Sequence, residues 1–157
     1  MLKFTDTMIV FREIPEHITL AINISNCQIK CPSCHSKELW CDIGEILTEE
    51  KLCALIEKNK GIDTICFMGE GKDYNDVLKM CNFIKGKYHN LKVGVYSGRD
   101  EVEDIFYNTF DYVKIGKYDE QYGPLDKPTT NQRLYEIVNG VKSDITEKFW
   151  RKKEYMF

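Results

Sequence analysis

The sequence predicts an α/β fold, a compact partial (βα) barrel of about five or six mainly parallel strands. Apolar segments rich in β-branched and aromatic residues alternate with segments of helical periodicity, a pattern typical of βαβ units with right-handed crossovers. The 157 residues, 43% hydrophobic and 30% charged, are enough for one domain and too few for a complete eight-stranded barrel of about 250 residues. We therefore expect a single domain over residues 1–157.

Four segments are predicted to be strands, because each is a short run of mainly apolar, β-branched or aromatic residues. They are residues 18–24, 64–68, 91–96 and 112–115. Residues 132–138 form a fifth strand or, as the alternative, a helix.

Two helices are predicted between these strands, over residues 48–60 and 73–88. In each segment the apolar residues recur at helical spacing and form one stripe. Gly61 ends the first helix, since glycine readily adopts the left-handed conformation that terminates helices. A third helix is expected to open at Asp100, because Asp100 and Glu103 have the spacing of a capping box.

The carboxyl ends of parallel strands are where ligands bind in sheets of this kind. This rule selects the loops at residues 25–42, 69–73 and 97–100, together with the chain from Gly116 onward. The first of these loops contains most of the cysteines, so it is the first candidate for a functional site.

The chain has seven cysteines, and its N-terminus lacks the apolar core of a signal peptide. An odd number of cysteines without a secretory signal argues against a disulfide framework and favours metal or redox chemistry for those that cluster. Four of the seven lie within residues 27–41. The other three lie singly in apolar patterns, and we expect them to be small buried side chains: Cys53, Cys66 and Cys81.

The clustered cysteines include the motif C-x3-C-x2-C, formed by Cys27, Cys31 and Cys34. Three thiolates are one fewer than an ordinary [4Fe-4S] cluster uses, so one iron would be open to a substrate or cofactor. Two other interpretations remain open. A structural zinc site would add His35 or Cys41, and a redox dithiol of Cys31 and Cys34 would leave Cys27 unexplained.

The C-x3-C-x2-C motif after the first strand of an α/β chain resembles the radical S-adenosylmethionine superfamily. The resemblance implies that Cys27, Cys31 and Cys34 hold a [4Fe-4S] cluster and that Ser33 and His35 lie beside the cofactor. In that superfamily the fourth iron is chelated by the amino and carboxylate groups of S-adenosyl-L-methionine, and reductive cleavage yields a 5′-deoxyadenosyl radical that abstracts hydrogen. Ser33 stands where the superfamily usually places an aromatic residue.

Two later segments extend the resemblance. Residues 68–71, Met-Gly-Glu-Gly, resemble the superfamily's Gly-Gly-Glu-like segment with one glycine displaced, which implies that Gly69 and Glu70 frame the cofactor. Glycine suits this position because the backbone must approach a ligand closely. Ser97 is expected to meet the ribose or carboxylate of the cofactor, with a simple turn as the alternative. Lys114 is expected to be a solvated lysine, with neutralisation of a carboxylate as the alternative.

Three segments are similar to the activating proteins of anaerobic (class III) ribonucleotide reductase: residues 31–40, 111–118 and 129–133. The resemblance runs from about residue 15 to about residue 138. It implies a radical S-adenosylmethionine oxidoreductase that abstracts hydrogen from a glycine of the reductase and leaves a glycyl radical there. The electron would come from reduced flavodoxin or a similar donor.

The composition argues against two other classes of partner, nucleic acids and membranes. The formal net charge of −3 argues against nucleic-acid binding, which needs a basic surface. No apolar run approaches the roughly 18 residues that span a bilayer, so we expect no membrane partner and a cytoplasmic location. The alternative functions are activation of another glycyl radical enzyme, a radical enzyme acting on a metabolite, and a zinc-stabilised binding module without enzymatic activity.

Overall fold

The computed structural model describes residues 1–26 and 42–155, with side chains described as far as Trp150. The predicted cluster ligands Cys27, Cys31 and Cys34, and the predicted cofactor contacts Ser33 and His35, lie outside the described residues, as does Cys41. Among the described residues, no helix has the length and apolarity needed to cross a membrane.

Eight strands form one sheet within the described residues, in the order β3-β1-β2-β4-β5-β6-β7-β8. The strands are β1 (Lys3–Val10), β2 (Thr19–Ile24), β3 (Glu45–Ile46), β4 (Thr64–Met68), β5 (Lys92–Tyr96), β6 (Tyr112–Ile115), β7 (Arg133–Val138) and β8 (Val141–Asp144). The helices are α1 (Glu49–Lys58), α2 (Tyr74–Lys87) and α3 (Asp104–Thr109), and a 3-10 helix covers Thr146–Tyr155.

The predicted partial barrel of about five or six mainly parallel strands is wrong, because the sheet is mixed and its helices are few and short. Strands β2, β4, β5 and β6 are parallel, whereas β1 pairs antiparallel with β2 and β3, and β7 pairs antiparallel with β6 and β8. The prediction missed β1, β3 and β8. These strands lie at the sides of the sheet, where backbone pairing can hold a strand that buries few of its side chains, and β8 is exposed along its whole length.

The predicted central elements are confirmed, with small changes at their ends. Strands β4 and β6 have the predicted bounds. Helix α1 begins after Thr48, whose side chain accepts a hydrogen bond from the Lys51 amide, and α2 begins after Asp73, which caps the Asn75 amide. Residues 133–138 are a strand rather than the alternative helix.

The predicted capping box of Asp100 and Glu103 is wrong. Helix α3 begins only after Glu103, and Glu103 makes no side-chain capping bond. Its carboxylate instead accepts hydrogen bonds from the Arg99 guanidinium. A charge-assisted pair has displaced the weaker local interaction that the sequence spacing predicts.

The core has two parts, one on each face of the sheet, because successive strand residues point to opposite sides. Ile65 and Phe67 of β4 pack in the larger part, beneath the three α-helices. Cys66, between them, packs in the smaller part with Ile14 and with Phe149 of the 3-10 helix. One face of the sheet is therefore covered by α-helices and the other by loops and the 3-10 helix.

Candidate functional site

The parallel strands bring four loops to one edge of the sheet. Asn23 lies opposite Met68, Met68 opposite Tyr96, and Tyr96 opposite Lys114, so β2, β4, β5 and β6 end side by side. The segments that follow these four strands therefore start at neighbouring positions, as the sequence predicts. We call this place the carboxyl edge.

The cysteine-containing segment 27–41 is flanked by residues that meet at the carboxyl edge. The Ser25 hydroxyl donates to the Ile43 carbonyl at 2.6 Å, and the Ser25 amide donates to the Lys3 carbonyl at 3.0 Å. The Lys3 ammonium also pairs with Asp42 at 2.9 Å. The described residues on the two sides of the segment are thus tied together, through β1, beside the end of β2.

The segment after β4 places Glu70 against Ser97. The Ser97 hydroxyl donates to Glu70 Oε2, so two of the predicted cofactor-binding residues are in contact. Gly69 has φ +128°, which side chains rarely permit, and a Cβ there would lie 3.4 Å from Ile24. Glycine at this position is therefore required by backbone conformation more than by space.

Arg99 is a residue of this edge that the sequence analysis missed. Its guanidinium binds Glu70 through two hydrogen bonds, Nε to Oε2 at 3.0 Å and Nη2 to Oε1 at 2.7 Å. It also binds Glu103 through Nη1 at 3.1 Å and Nη2 at 2.8 Å. The hydrogen bonds with Glu103, and then with Glu70, raise the pKa of Arg99, and the bond from Arg99 lowers the pKa of Glu103. The sequence signals were its position after the third parallel strand and the four-residue spacing to Glu103.

Two aromatic rings fix the Arg99 guanidinium from the helix side. Its central carbon lies 5.5 Å from the ring centroid of Tyr74 and 5.5 Å from that of Phe106. The two rings meet edge to face at 5.4 Å, and Phe106 is fully buried. Arg99 therefore joins α2, α3 and the carboxyl edge through both charge and ring contacts.

Lys114 is buried, with only 7% of its surface exposed, so the expected solvated lysine is wrong. Its ammonium donates to the Gly116 carbonyl at 2.7 Å and to the Ser97 carbonyl at 3.3 Å. It also lies 5.5 Å from the Tyr96 ring centroid. A positive charge is thus held under the carboxyl edge by backbone carbonyls, which offset the cost of burying it.

A cavity of about 350 Å³ opens on the face of the sheet opposite the α-helices. Arg12, Glu13, Tyr96, Leu125 and Phe149 are among its lining residues. The Tyr96 hydroxyl donates to the Glu13 carbonyl, and burial raises the pKa of Tyr96. Because Tyr96 directly precedes Ser97, the cavity adjoins the carboxyl edge.

A second polar network lies at the opposite, amino edge of the parallel strands. His17 contacts Asp63 through Nδ1 at 3.1 Å and the Tyr112 hydroxyl through Nε2 at 2.7 Å. Tyr112 also donates to Glu136 at 2.9 Å, and burial, followed by this bond, raises the pKa of Tyr112. The network ties the segment after β1 to the middle of the sheet.

In the part of the chain that the structure describes, no group of three or more His, Cys, Asp or Glu side chains is placed to hold a metal ion. Of the three single cysteines, Cys66 and Cys81 are buried as expected, whereas Cys53 is only partly buried.

No family model, curated protein or solved structure matches this chain. The interpretation of its function therefore rests on the cysteine motif and on the residues gathered at the carboxyl edge.

Proposed function

We propose that this chain activates a glycyl radical enzyme, anaerobic ribonucleotide reductase, using a [4Fe-4S] cluster and S-adenosyl-L-methionine. When bound, these two groups supply the reductive cleavage of the sulfonium and the abstraction of hydrogen from a glycine of the reductase. The chain's own residues bind the two groups, orient them and present them to the protein substrate.

The residues on either side of the cysteine motif support this proposal. Ser25 and Ile43, which flank segment 27–41 in sequence, are joined by a hydrogen bond at the carboxyl edge, and β2 lies next to β4 in the parallel part of the sheet. Thiolates in this segment would therefore be anchored beside the Gly69–Glu70 backbone and Ser97. The mixed sheet retains this arrangement, because β2, β4, β5 and β6 are still parallel neighbours.

The residues present fit the two groups by their chemistry. Cys27, Cys31 and Cys34 offer three thiolates, which would leave one iron for the amino and carboxylate groups of the cofactor. The backbone at Gly69, with its positive φ and no side chain, can approach the methionine amino group closely. The Gly-Glu pair would thus frame the cofactor through main-chain atoms.

The hydrogen bonds of Ser97 favour the ribose over the carboxylate as its contact. Its hydroxyl gives its one proton to Glu70 and accepts from the Arg99 amide at 3.1 Å. A hydroxyl has two lone pairs, so Ser97 can still accept a proton from a ribose hydroxyl. A cofactor carboxylate, which only accepts, would have to compete with Glu70.

Glu70 has a positioning role in this proposal and moves no proton. Both of its carboxylate oxygens accept from Arg99, and one also accepts from Ser97. These bonds hold the chain after β4 in place, so the adjacent Gly69 backbone keeps its orientation. Reduced flavodoxin or a similar protein would donate the electron, and the reaction would take place in the cytoplasm without nucleic acid or membrane.

Electron paramagnetic resonance of anaerobically reconstituted, dithionite-reduced protein tests the proposal. We expect a reduced [4Fe-4S] signal that changes when S-adenosylmethionine is added. Cys34→Ala should lose the signal, and the matched Cys53→Ala, which alters a partly buried cysteine on α1, should keep it.

Two outcomes would overturn the proposal. A cluster whose signal ignores the cofactor would indicate an electron-transfer protein. One tightly held zinc ion in place of a cluster would support the alternative function, a zinc-stabilised binding module.

A further inference from the structure

Gln132 is a buried polar residue at the carboxyl edge, directly before β7. Arg133, the first residue of β7, lies opposite Ile115 of β6. The two strands are antiparallel, so Gln132 lies beside Gly116 at the end of β6. A Cβ at Gly116 would lie 3.0 Å from the Gln132 Cα, and the Gly116 amide donates to the Arg99 carbonyl at 2.6 Å. Gln132 is therefore packed into the same edge as Arg99, with only 6% of its surface exposed.

The side-chain amide of Gln132 lacks a partner in the part of the chain that the structure describes. The backbone amide of Gln132 donates to the Thr130 hydroxyl at 3.1 Å, but the side-chain amide makes no hydrogen bond to any described residue. A buried amide without a partner costs free energy, because it gives up its hydrogen bonds to water. The amide is not fully enclosed, so a ligand can reach it and supply the missing partners.

The strand ends along this edge follow the order of the parts of S-adenosyl-L-methionine. Strands β4, β5, β6 and β7 are neighbours in that order. In the proposed function, the Gly69 backbone after β4 approaches the methionine amino group, and Ser97 after β5 accepts from the ribose. Neighbouring strands lie about 4.8 Å apart, so the end of β7 at this edge lies roughly 10 Å beyond the end of β5. The ribose joins the methionine part to the adenine, so a cofactor lying across the edge in this direction presents its adenine toward Gln132.

We propose that the Gln132 side-chain amide binds the adenine of S-adenosyl-L-methionine, accepting from the exocyclic amine and donating to a ring nitrogen. The inference rests on the proposed function and names a further contact of the same site. The edge of adenine presents a donor beside an acceptor, and a glutamine amide presents the matching acceptor and donor. The cofactor thus supplies both partners that the described part of the chain does not.

Equilibrium dialysis of the anaerobically reconstituted full chain tests this contact with two probes. The probes are S-adenosylmethionine and its analogue in which purine, without the exocyclic amine, replaces adenine. We expect wild type to bind S-adenosylmethionine about tenfold more tightly, because the analogue lacks one hydrogen bond to the amide. Gln132→Met keeps an unbranched side chain without the amide and should bind the two probes equally. The matched Gln121→Met, at an exposed position between β6 and β7, should keep the wild-type preference.

The dialysis distinguishes failure of this inference from failure of the proposed function. If wild type binds S-adenosylmethionine without preference over the analogue, or if Gln132→Met retains the preference, the adenine contact is wrong and the proposed function stands. If wild type does not bind S-adenosylmethionine and forms no cluster signal, the proposed function fails and this inference fails with it.

Urea denaturation of the same proteins without S-adenosylmethionine gives a readout that does not depend on cofactor binding. Gln132→Met removes a buried amide that has no partner among the described residues, so we expect its urea midpoint to lie above that of wild type. Gln121→Met alters an exposed side chain and should leave the midpoint unchanged. A lower midpoint in Gln132→Met would show that the amide has a structural partner, and the inference would then be wrong.

Discussion

The Arg99 guanidinium, together with the Ser97 hydroxyl, holds the Glu70 carboxylate at the carboxyl edge. Arg99 donates to both oxygens of Glu70 and to both oxygens of Glu103, and two aromatic rings restrict its movement. Side-chain exposure is 28% for Arg99 and only 11% for Glu70, so solvent screens this pair less than an ordinary surface pair. The planar fork of arginine fits this arrangement, and a lysine ammonium cannot reproduce it.

We therefore expect Arg99→Lys to lower the free energy of unfolding by about 1.5 kcal/mol, the lower end of the range for charged hydrogen bonds, because lysine keeps the positive charge. Urea denaturation at neutral pH measures this loss. Arg133→Lys is the matched control, because its ion pair with Asp144 is 3.6 Å long and about two-fifths exposed. The control should lose less than about 0.5 kcal/mol. Equal losses in the two variants would contradict the special role of Arg99.

Two buried thiols, Cys66 and Cys81, make the free energy of unfolding depend on pH in the alkaline range. Burial raises the pKa of Cys81 to about 12, and burial also raises the pKa of Cys66. A thiol in the unfolded chain ionises near pH 8.5, so between that pH and the folded pKa the unfolded state holds fewer protons. Folding stability is therefore complete below about pH 8.5 and falls as the pH rises above it.

We expect the free energy of unfolding to fall between pH 8 and pH 10, and to fall less steeply in Cys81→Ala. Urea denaturation at several pH values gives this slope. The variant also loses a hydrogen bond to the Thr109 carbonyl, which lowers its stability at every pH. The comparison therefore uses the slope of stability against pH and not the stability at pH 7. An unchanged slope in Cys81→Ala would show that this thiol ionises similarly in both states.

At the scale of elements, the residues of the turn between β7 and β8 determine the geometry of this hairpin. Val138 lies opposite Val141, which leaves a two-residue turn of Asn139 and Gly140. Both turn residues have positive φ, +50° and +78°. This combination is typical of the type I′ turn, for which Asn-Gly is the preferred pair. The hairpin adds β8, which has no buried side chain of its own.

We expect Gly140→Ala to lower the free energy of unfolding by about 1 kcal/mol, because alanine is strained at a positive φ. A Cβ at Gly140 would meet nothing within 4 Å, so the whole cost is conformational. Thermal or urea denaturation measures it.

Gly86 offers the opposite result as a control. It lies in α2, and a Cβ there would also meet nothing within 4 Å. Gly86→Ala should raise the free energy of unfolding by about 0.5 kcal/mol, because alanine favours a helix. If both substitutions shifted stability in the same direction, backbone conformation would not be the cause.

At the scale of the whole molecule, the sheet has four parallel strands in the middle and antiparallel strands on both sides of them. The parallel strands β2, β4, β5 and β6 form the carboxyl edge. Each of the three crossovers between them contains one α-helix, as the sequence predicts. Strand β1 binds Ser25 and Asp42, the residues that flank the cysteine segment in the described part of the chain, through Lys3. Strands β7 and β8 extend the sheet on the other side. The antiparallel strands therefore replace the further βα units that a partial barrel would need.

The sequence by itself determined the central elements and the candidate chemistry. Apolar runs such as residues 64–68 define buried strands, and the spacing of Cys27, Cys31 and Cys34 defines a candidate ligand set, because these signals are local. The tertiary structure alone decided the antiparallel sides of the sheet, the burial of Lys114 and the Arg99–Glu70 pair. Each of these depends on residues far apart in sequence. Folding alone brings the neighbouring strand, the carbonyls around Lys114 and the carboxylate of Glu70 close to their partners. No local sequence pattern encodes that proximity.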